Sequence, residues 1–355
     1  MLNLDDVATY RELDAAGMRE RMGELPRQCA DAWALTEGLE FPPSYRQVGE
    51  VIILGMGGSA IGGALLASLV AGECPLPILS VRGYDLPAHV GPESLVVASS
   101  YSGNTEETLS AFTQAVERGS PLVAVVTGGR LAAIAEEKRI PLVRFDYCSQ
   151  PRAALGYSFT LLLGLLCRLG LLRDYRADLE EAVAVMEERQ KELSPDVPVV
   201  RNPAKRLAGQ LVGRLPVVYG AGFLSPVARR WKGQFNENAK NWAFWEELPE
   251  LNHNAVVGYG MPDGVRERAA VLMLRSSFDH PRVQARWEVT QELLLREGVM
   301  VDVRWGRGAS PLAQMFSLIH FGDYVSLYLA VLNGADPTPV PPIDCLKRRL
   351  AQVSE

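Results

Sequence analysis

The chain has 355 residues, enough for two domains of ordinary size, each with its own core. A hydrophobic share of 48% beside 22% charged residues is a globular balance, and a formal charge of −6 argues against general nucleic-acid binding. An anionic substrate is not excluded, because a positive pocket can exist within a negative whole.

Residues 1–45 are polar with helical spacing and predict a leading helical arm. A β/α alternation then begins. Strands are expected at 50–54, 77–82, 94–99, 121–126 and 141–145, and helices at 59–71, 105–118 and 131–138. Near-continuous Val/Ile/Leu runs bounded by Gly, Ser or Pro read as strands covered on both faces, so the fold class is α/β with doubly wound parallel sheets. Residues 151–210 read as helices joining two halves. Within them Leu155 to Leu172 is strongly apolar but interrupted by Gly164, Arg168 and Gly170, which suits a core helix better than a membrane span. The alternation resumes with strand 215–220, helix 226–242, strand 269–274, helix 283–297 and strand 299–304. A helix over 311–333, a proline-rich segment at Asp336–Pro342 and a closing helix carrying Lys347 complete the chain. The expected division is 1–152 and 153–355. Five scattered cysteines (Cys29, Cys74, Cys148, Cys167 and Cys345) form no C-x-x-C pair, and no basic, apolar leader opens the chain. Both observations predict a reducing, cytoplasmic setting.

Two turns carry the chemical information. Gly55-Met56-Gly57-Gly58-Ser59-Ala60-Ile61-Gly62-Gly63 follows the run Val51–Leu54, and Ser99-Ser100-Tyr101-Ser102-Gly103-Asn104-Thr105 follows Leu95–Ala98. Each stands where a buried strand hands over to a helix, with free backbone N–H groups among hydroxyls, an arrangement suited to phosphate. Two such turns at the carboxyl ends of neighbouring strands would grip one phosphate from both sides. Gly55, Gly57 and Ala60 also satisfy the loose dinucleotide pattern, yet the next strand ends in Arg82 rather than an acid, and the hydroxyls of Ser100, Ser102 and Thr105 stay unexplained. A P-loop fails because Gly63 stands where lysine is required. A phosphosugar is therefore preferred to a nucleotide.

The candidate chemistry lies further on. Trp231 to Lys240 reads as helix, with Trp231, Phe235 and Trp242 on one face and Glu237 on the other, near Gln234 and Asn241. Pro249-Glu250-Leu251-Asn252-His253-Asn254 holds one of four histidines between two amides able to fix its tautomer. Arg152 follows Gln150-Pro151 at a helix start, where its guanidinium would face the strand ends. His89, His280 and His320 show no metal-ligand spacing, and the lack of a G-x-S-x-G elbow leaves Ser59 as a phosphate donor rather than a nucleophile.

With these motifs in order, the sequence resembles the bifunctional phosphoglucose/phosphomannose isomerase family, a branch of the phosphoglucose isomerase superfamily with two sugar-isomerase (SIS) domains. The resemblance rests on Gly55–Gly63, Ser100–Thr105, Pro151–Ala154, Asn236–Lys240, Glu250–Asn254 and Ile343-x-x-Leu346-Lys347. It implies a cofactor-free, metal-free aldose–ketose isomerase acting on glucose 6-phosphate and mannose 6-phosphate. Gly58, Ser59, Ser100, Ser102 and Thr105 would hold the phosphate, Glu237 would move the proton between C2 and C1, and Arg152 would stabilise the enediolate. His253, aided by Lys347, would open the sugar ring, the histidine reaching the site from the partner subunit of a homodimer. Thr338 is the nearest candidate for the threonine tied to accepting the mannose epimer. The competing expectations are a SIS isomerase of another phosphosugar and a non-catalytic phosphosugar sensor. A sensor is disfavoured because the acidic chain offers no basic helix-turn-helix stretch.

Overall fold

A computed structural model describes residues 3–353. Three helices lead the chain: α1 (Val7–Leu13), α2 (Met18–Gly23) and α3 (Leu25–Thr36). The first α/β unit follows as β1 (Glu50–Leu54), α4 (Gly57–Val70), β2 (Ile78–Val81), β3 (Ser94–Ser100), α5 (Glu106–Glu117), β4 (Leu122–Val126), α6 (Gly129–Glu137) and β5 (Leu142–Arg144). These strands match the expected ones to within a residue or two. All pairings are parallel, in the order β2-β1-β3-β4-β5. The chain runs outward from β1 to β2 and then returns to the other side of β1, so its direction of winding reverses between β1 and β3. Such a switch point opens a crevice at the carboxyl ends of the two strands, where α/β sheets bind ligands. Leu54 and Ala98 are register partners there, which sets the two motif-bearing turns side by side.

Helices α7 (Leu155–Arg168), α8 (Arg176–Leu193) and α9 (Pro203–Leu211) connect to the second unit. It comprises β6 (Leu215–Ala221), α10 (Ser225–Glu237), β7 (Phe244–Leu248), α11 (Asp263–Arg266), β8 (Ala269–Arg275), α12 (Pro281–Arg296), β9 (Met300–Trp305), α13 (Pro311–Leu332) and α14 (Pro341–Leu350). The strand order β7-β6-β8-β9 repeats the logic of the first sheet, with α10 leaving from the carboxyl end of β6. Ile53 and Val97 of the first sheet and Val218 and Leu272 of the second belong to one continuous core with α7 and α13. Helix α13 is long and apolar enough to span a membrane, yet 94% of its apolar window is buried inside the fold. Helix α7 is buried along most of its length, as its composition predicts.

Two expectations are corrected. The helix read over 226–242 stops at Glu237, so Trp231 and Phe235 are buried on one face while Trp242 is 72% exposed and shares nothing with them. Asn241 is off the helix too, and its amide donates to the Arg214 carbonyl. The chain leaves the helix through Lys240, which has a positive φ of 53°, and then forms β7, a strand the sequence reading did not anticipate.

Candidate active site

Glycine sets the geometry at the first turn. A Cβ on Gly58 would lie 2.7 Å from the Pro151 carbonyl oxygen, so the missing side chain lets the start of α4 abut the 3₁₀ turn Pro151–Ala153 that carries Arg152. Neither α4 nor α5 has a side chain capping its N-terminus, although Thr105 stands at the N-cap of α5. The hydroxyls form a local web instead. Ser59 Oγ accepts from the Tyr101 amide at 3.1 Å, which ties the two turns together. Ser100 Oγ accepts from the Gly103 amide and donates to Thr105 Oγ1 at 3.4 Å, while Ser102 Oγ accepts from the Asn104 amide. The amino ends of α4 and α5 thus lie side by side, next to these hydroxyls.

Arg152 is 4% exposed and joins the two halves of the molecule. Its Nε donates to Asn238 Oδ1 at 2.7 Å, and its Nη2 donates to the carbonyls of Pro337 and Thr338 at 2.8 and 2.7 Å. Its Nη1 lies 3.5 Å from Glu237 Oε2. That distance is an ion pair rather than a short hydrogen bond, so the carboxylate keeps accepting capacity for a ligand. Burial lowers the pKa of Arg152, while the charge of Glu237 opposes the shift. Lys240 Nζ donates to the Pro339 carbonyl at 2.7 Å, so two cations clamp the 337–339 segment to the end of α10. Burial and the nearby Arg152 charge lower the pKa of this lysine.

A second, deeper pair holds α10 in place. Arg230 on α10 makes two hydrogen bonds to Asp323 on α13, at 2.9 and 2.7 Å, and Gln234 donates to the same carboxylate at 2.7 Å. Asn238 Nδ2 donates to Ser326 Oγ on α13, so the amide that receives Arg152 is itself fixed from below. Burial pushes the Asp323 carboxyl up from the ordinary range, against the pull of Arg230.

Glu237 stands between two clefts. One, of about 330 Å³, runs from Met56, Gly57 and Gly58 at the start of α4, past Arg152, to Glu237. The other, of about 410 Å³, is walled by Trp242, Lys240 and Pro339–Ile343. Of the residues singled out in the sequence, Gly58, Arg152 and Glu237 share the first cleft, and Ser59, Ser100, Ser102 and Thr105 cluster at the adjoining turns. His253 and Lys347 are exposed and line neither cleft. The amides beside His253 do not touch its ring: Asn252 binds Thr290 and Arg286, and Asn254 binds Glu250 and the Ala255 amide. Thr338 gives its carbonyl to Arg152, while its buried hydroxyl has no partner among the described residues.

Comparison with known proteins decides the family. The chain is 42% identical, over 95% of its length and the whole of the relative, to the bifunctional phosphoglucose/phosphomannose isomerase of Caldicellulosiruptor bescii. The chain belongs to the bifunctional phosphoglucose/phosphomannose isomerase family. Its similarity to the Aquifex aeolicus member is 36% identity across 84% of this chain and 90% of that one. Residues 200–350 match the family model of the bacterial phospho-glucose isomerase C-terminal SIS domain. The fold is that of the SIS proteins: the crystal structure of tagatose-6-phosphate ketose/aldose isomerase from Escherichia coli superposes with a TM-score of 0.70 at 17% identity, over 92% of this chain and 97% of that one.

Sequence reasoning overlooked Lys240, Asn238 and the Arg230–Asp323 pair. Lys240 and Asn238 lie inside a quoted motif, but their partners, Pro339 and Ser326, are far away in the chain. Asp323, the one acidic residue on a mostly apolar helix, was the available signal, since a buried acid requires a cation. Removing one member of such a pair strands the other, at a cost of about 3–5 kcal/mol. Asp323→Ala is therefore expected to lose stability of that order in urea unfolding, and Asp323→Asn less, since the amide keeps an acceptor for Arg230. A loss below about 1 kcal/mol for the alanine variant would contradict this role.

Proposed function

We propose that the protein is a cofactor-free aldose–ketose isomerase that interconverts glucose 6-phosphate, and mannose 6-phosphate, with fructose 6-phosphate through a cis-enediolate. The observation that carries this reading is the Arg152–Glu237 pair, 3.5 Å apart, in a cleft that begins at the amino end of α4. The 6-phosphate binds between the α4 and α5 N-termini, receiving hydrogen bonds from Ser59, Ser100, Ser102, Thr105 and the backbone near Gly58. Glu237 takes the proton from C2 and returns it to C1. Charge that develops on the C1 and C2 oxygens meets the Arg152 guanidinium, which its carbonyl and amide contacts hold in position beforehand. Anchoring the remote phosphate aligns the reacting carbons against the carboxylate.

Ring opening is assigned to His253 and Lys347. Within one chain both are exposed and outside the Glu237 cleft, which supports a homodimer in which His253 is supplied across the interface. Exposed Leu346 and Ile343 on α14 and the neighbouring Trp242 offer apolar surface for such an assembly. Thr338 sits where its carbonyl holds Arg152, and its unpartnered hydroxyl supports a part in accepting the mannose epimer. The division at residue 152 and a cytoplasmic location complete the proposal, the latter supported by the free cysteines.

Incubating the protein with glucose 6-phosphate, mannose 6-phosphate and glucosamine 6-phosphate, and assaying fructose 6-phosphate from each, tests the reaction. Product is expected from the first two. Glu237→Gln should lower kcat by about 10²–10⁴-fold while keeping phosphosugar binding; normal turnover would remove Glu237 as the base. Ser102→Ala and Thr105→Val should each raise KM, by up to about tenfold, through lost charge-assisted hydrogen bonds. Unchanged kinetics in both would place the phosphate elsewhere.

A further inference from the structure

The cleft holds more positive charge than one sugar monophosphate needs. Arg82, Arg152, Arg229, Arg230 and Lys232 all line it, against the single carboxylate of Glu237. Arg230 is matched by Asp323, and Arg152 by Glu237 and its carbonyl acceptors. Arg82, Arg229 and Lys232 form no salt bridge among the described residues. Arg82, directly after β2, is half-buried and donates Nη2 to the Ala60 carbonyl at 3.2 Å. Burial, and then the like charge of Arg229, holds its pKa down to about 10. Arg229 is exposed at the mouth of the cleft and Arg82 is half-buried behind it, so their like charges are relieved when an anion binds beside them.

The Arg229 guanidinium lies over the Trp245 ring, 5.9 Å from its centroid. Arg229, Gly233 and Glu237 lie on successive turns of one face of α10, so Arg229 and Glu237 are about 12 Å apart along the helix. Gly233 between them leaves the floor open, since a Cβ there would meet nothing within 4 Å. A sugar whose carbons face Glu237 therefore leaves the Arg229 end of the cleft free for another charged group. Paired guanidinium forks match phosphate oxygens better than a lone ammonium does.

We propose that Arg82, Arg229 and Lys232 form a second phosphate subsite in this cleft, through which the protein binds sugar bisphosphates in competition with its monophosphate substrate. The proposal rests on the reading that a phosphosugar occupies this cleft. With its 6-phosphate at the α4–α5 turns and its C1 phosphate drawn to these cations, the bisphosphate would hold C1 away from Glu237, so it would bind without turning over and compete with the monophosphate.

Calorimetric titration of the full-length protein with fructose 6-phosphate and fructose 1,6-bisphosphate tests it, using wild type, Arg229→Gln and the double variant Arg82→Gln/Arg229→Gln. The wild type should bind the bisphosphate about tenfold or more tightly than the monophosphate, and the double variant should bring that ratio close to one. The single variant, altered at a position on the helix surface, should reduce the ratio partway, and it serves if the double variant does not fold. An equal ratio in wild type and variants would overturn the proposal. So would equal weakening of both ligands, which would put the substrate's own phosphate on these arginines. A changed dimer association in ultracentrifugation, with the ratio unaltered, would make the arginines counter-ions of a second copy and overturn it as well. Failure of the isomerase reading is separately visible: glucose 6-phosphate would not be converted by wild type, whatever calorimetry reports for the bisphosphate.

Discussion

The burial of one guanidinium organises this molecule. Arg152 comes from the turn that ends the first α/β unit, yet its acceptors come from the end of α10 and from the 337–338 segment. A buried cation is tolerated only when its donors are matched, and here Asn238, Pro337, Thr338 and Glu237 supply the match. Because the acceptors and the arginine belong to different halves of the chain, fixing the cation also fixes the halves relative to each other. Gly58 makes the approach possible from one side, and the Asp323–Arg230 pair braces α10 from the other.

The same constraint shapes the chemistry. Arg152 donates toward Glu237 at ion-pair distance while its other nitrogens are occupied, which leaves the carboxylate accessible and oriented. The amino ends of α4 and α5 lie at the switch point of the first sheet, and the Glu237 carboxylate is delivered by the helix leaving the second. In the proposed reading, a ligand long enough to touch both would be held at one end by backbone dipoles and hydroxyls, and at the other by a charged pair. Division of labour between the two sheets explains why neither turn, taken alone, is informative about reaction type.

Much of this was legible in the sequence, because parallel strands announce themselves through unbroken Val/Ile/Leu runs and because glycine and hydroxyl residues at strand ends have few other uses. Strand β7 escaped notice since Phe244-Trp245-Glu246-Glu247-Leu248 is an edge strand, with two adjacent acids and a partly exposed face in place of a buried run. The end of α10 was misplaced because no glycine or proline marks it; the chain turns at Lys240, whose strained backbone is stabilised by carbonyls nearly a hundred residues away. Motifs located Arg152 and Glu237, but only tertiary structure revealed the network beneath them. Local pattern reports local structure well and says little about partners brought together by folding.

The central claim is that one phosphosugar bridges the two units, with its phosphate at the α4–α5 crevice and its first two carbons at residue 237. A crystal structure of the Glu237→Gln protein soaked with glucose 6-phosphate measures this most directly. The account predicts phosphate density ringed by Ser59, Ser100, Ser102 and Thr105, with C1 and C2 in van der Waals contact with the residue 237 amide. Phosphate density seated in any other part of the molecule, or a sugar whose C1 and C2 lie away from residue 237 in every subunit, would contradict it.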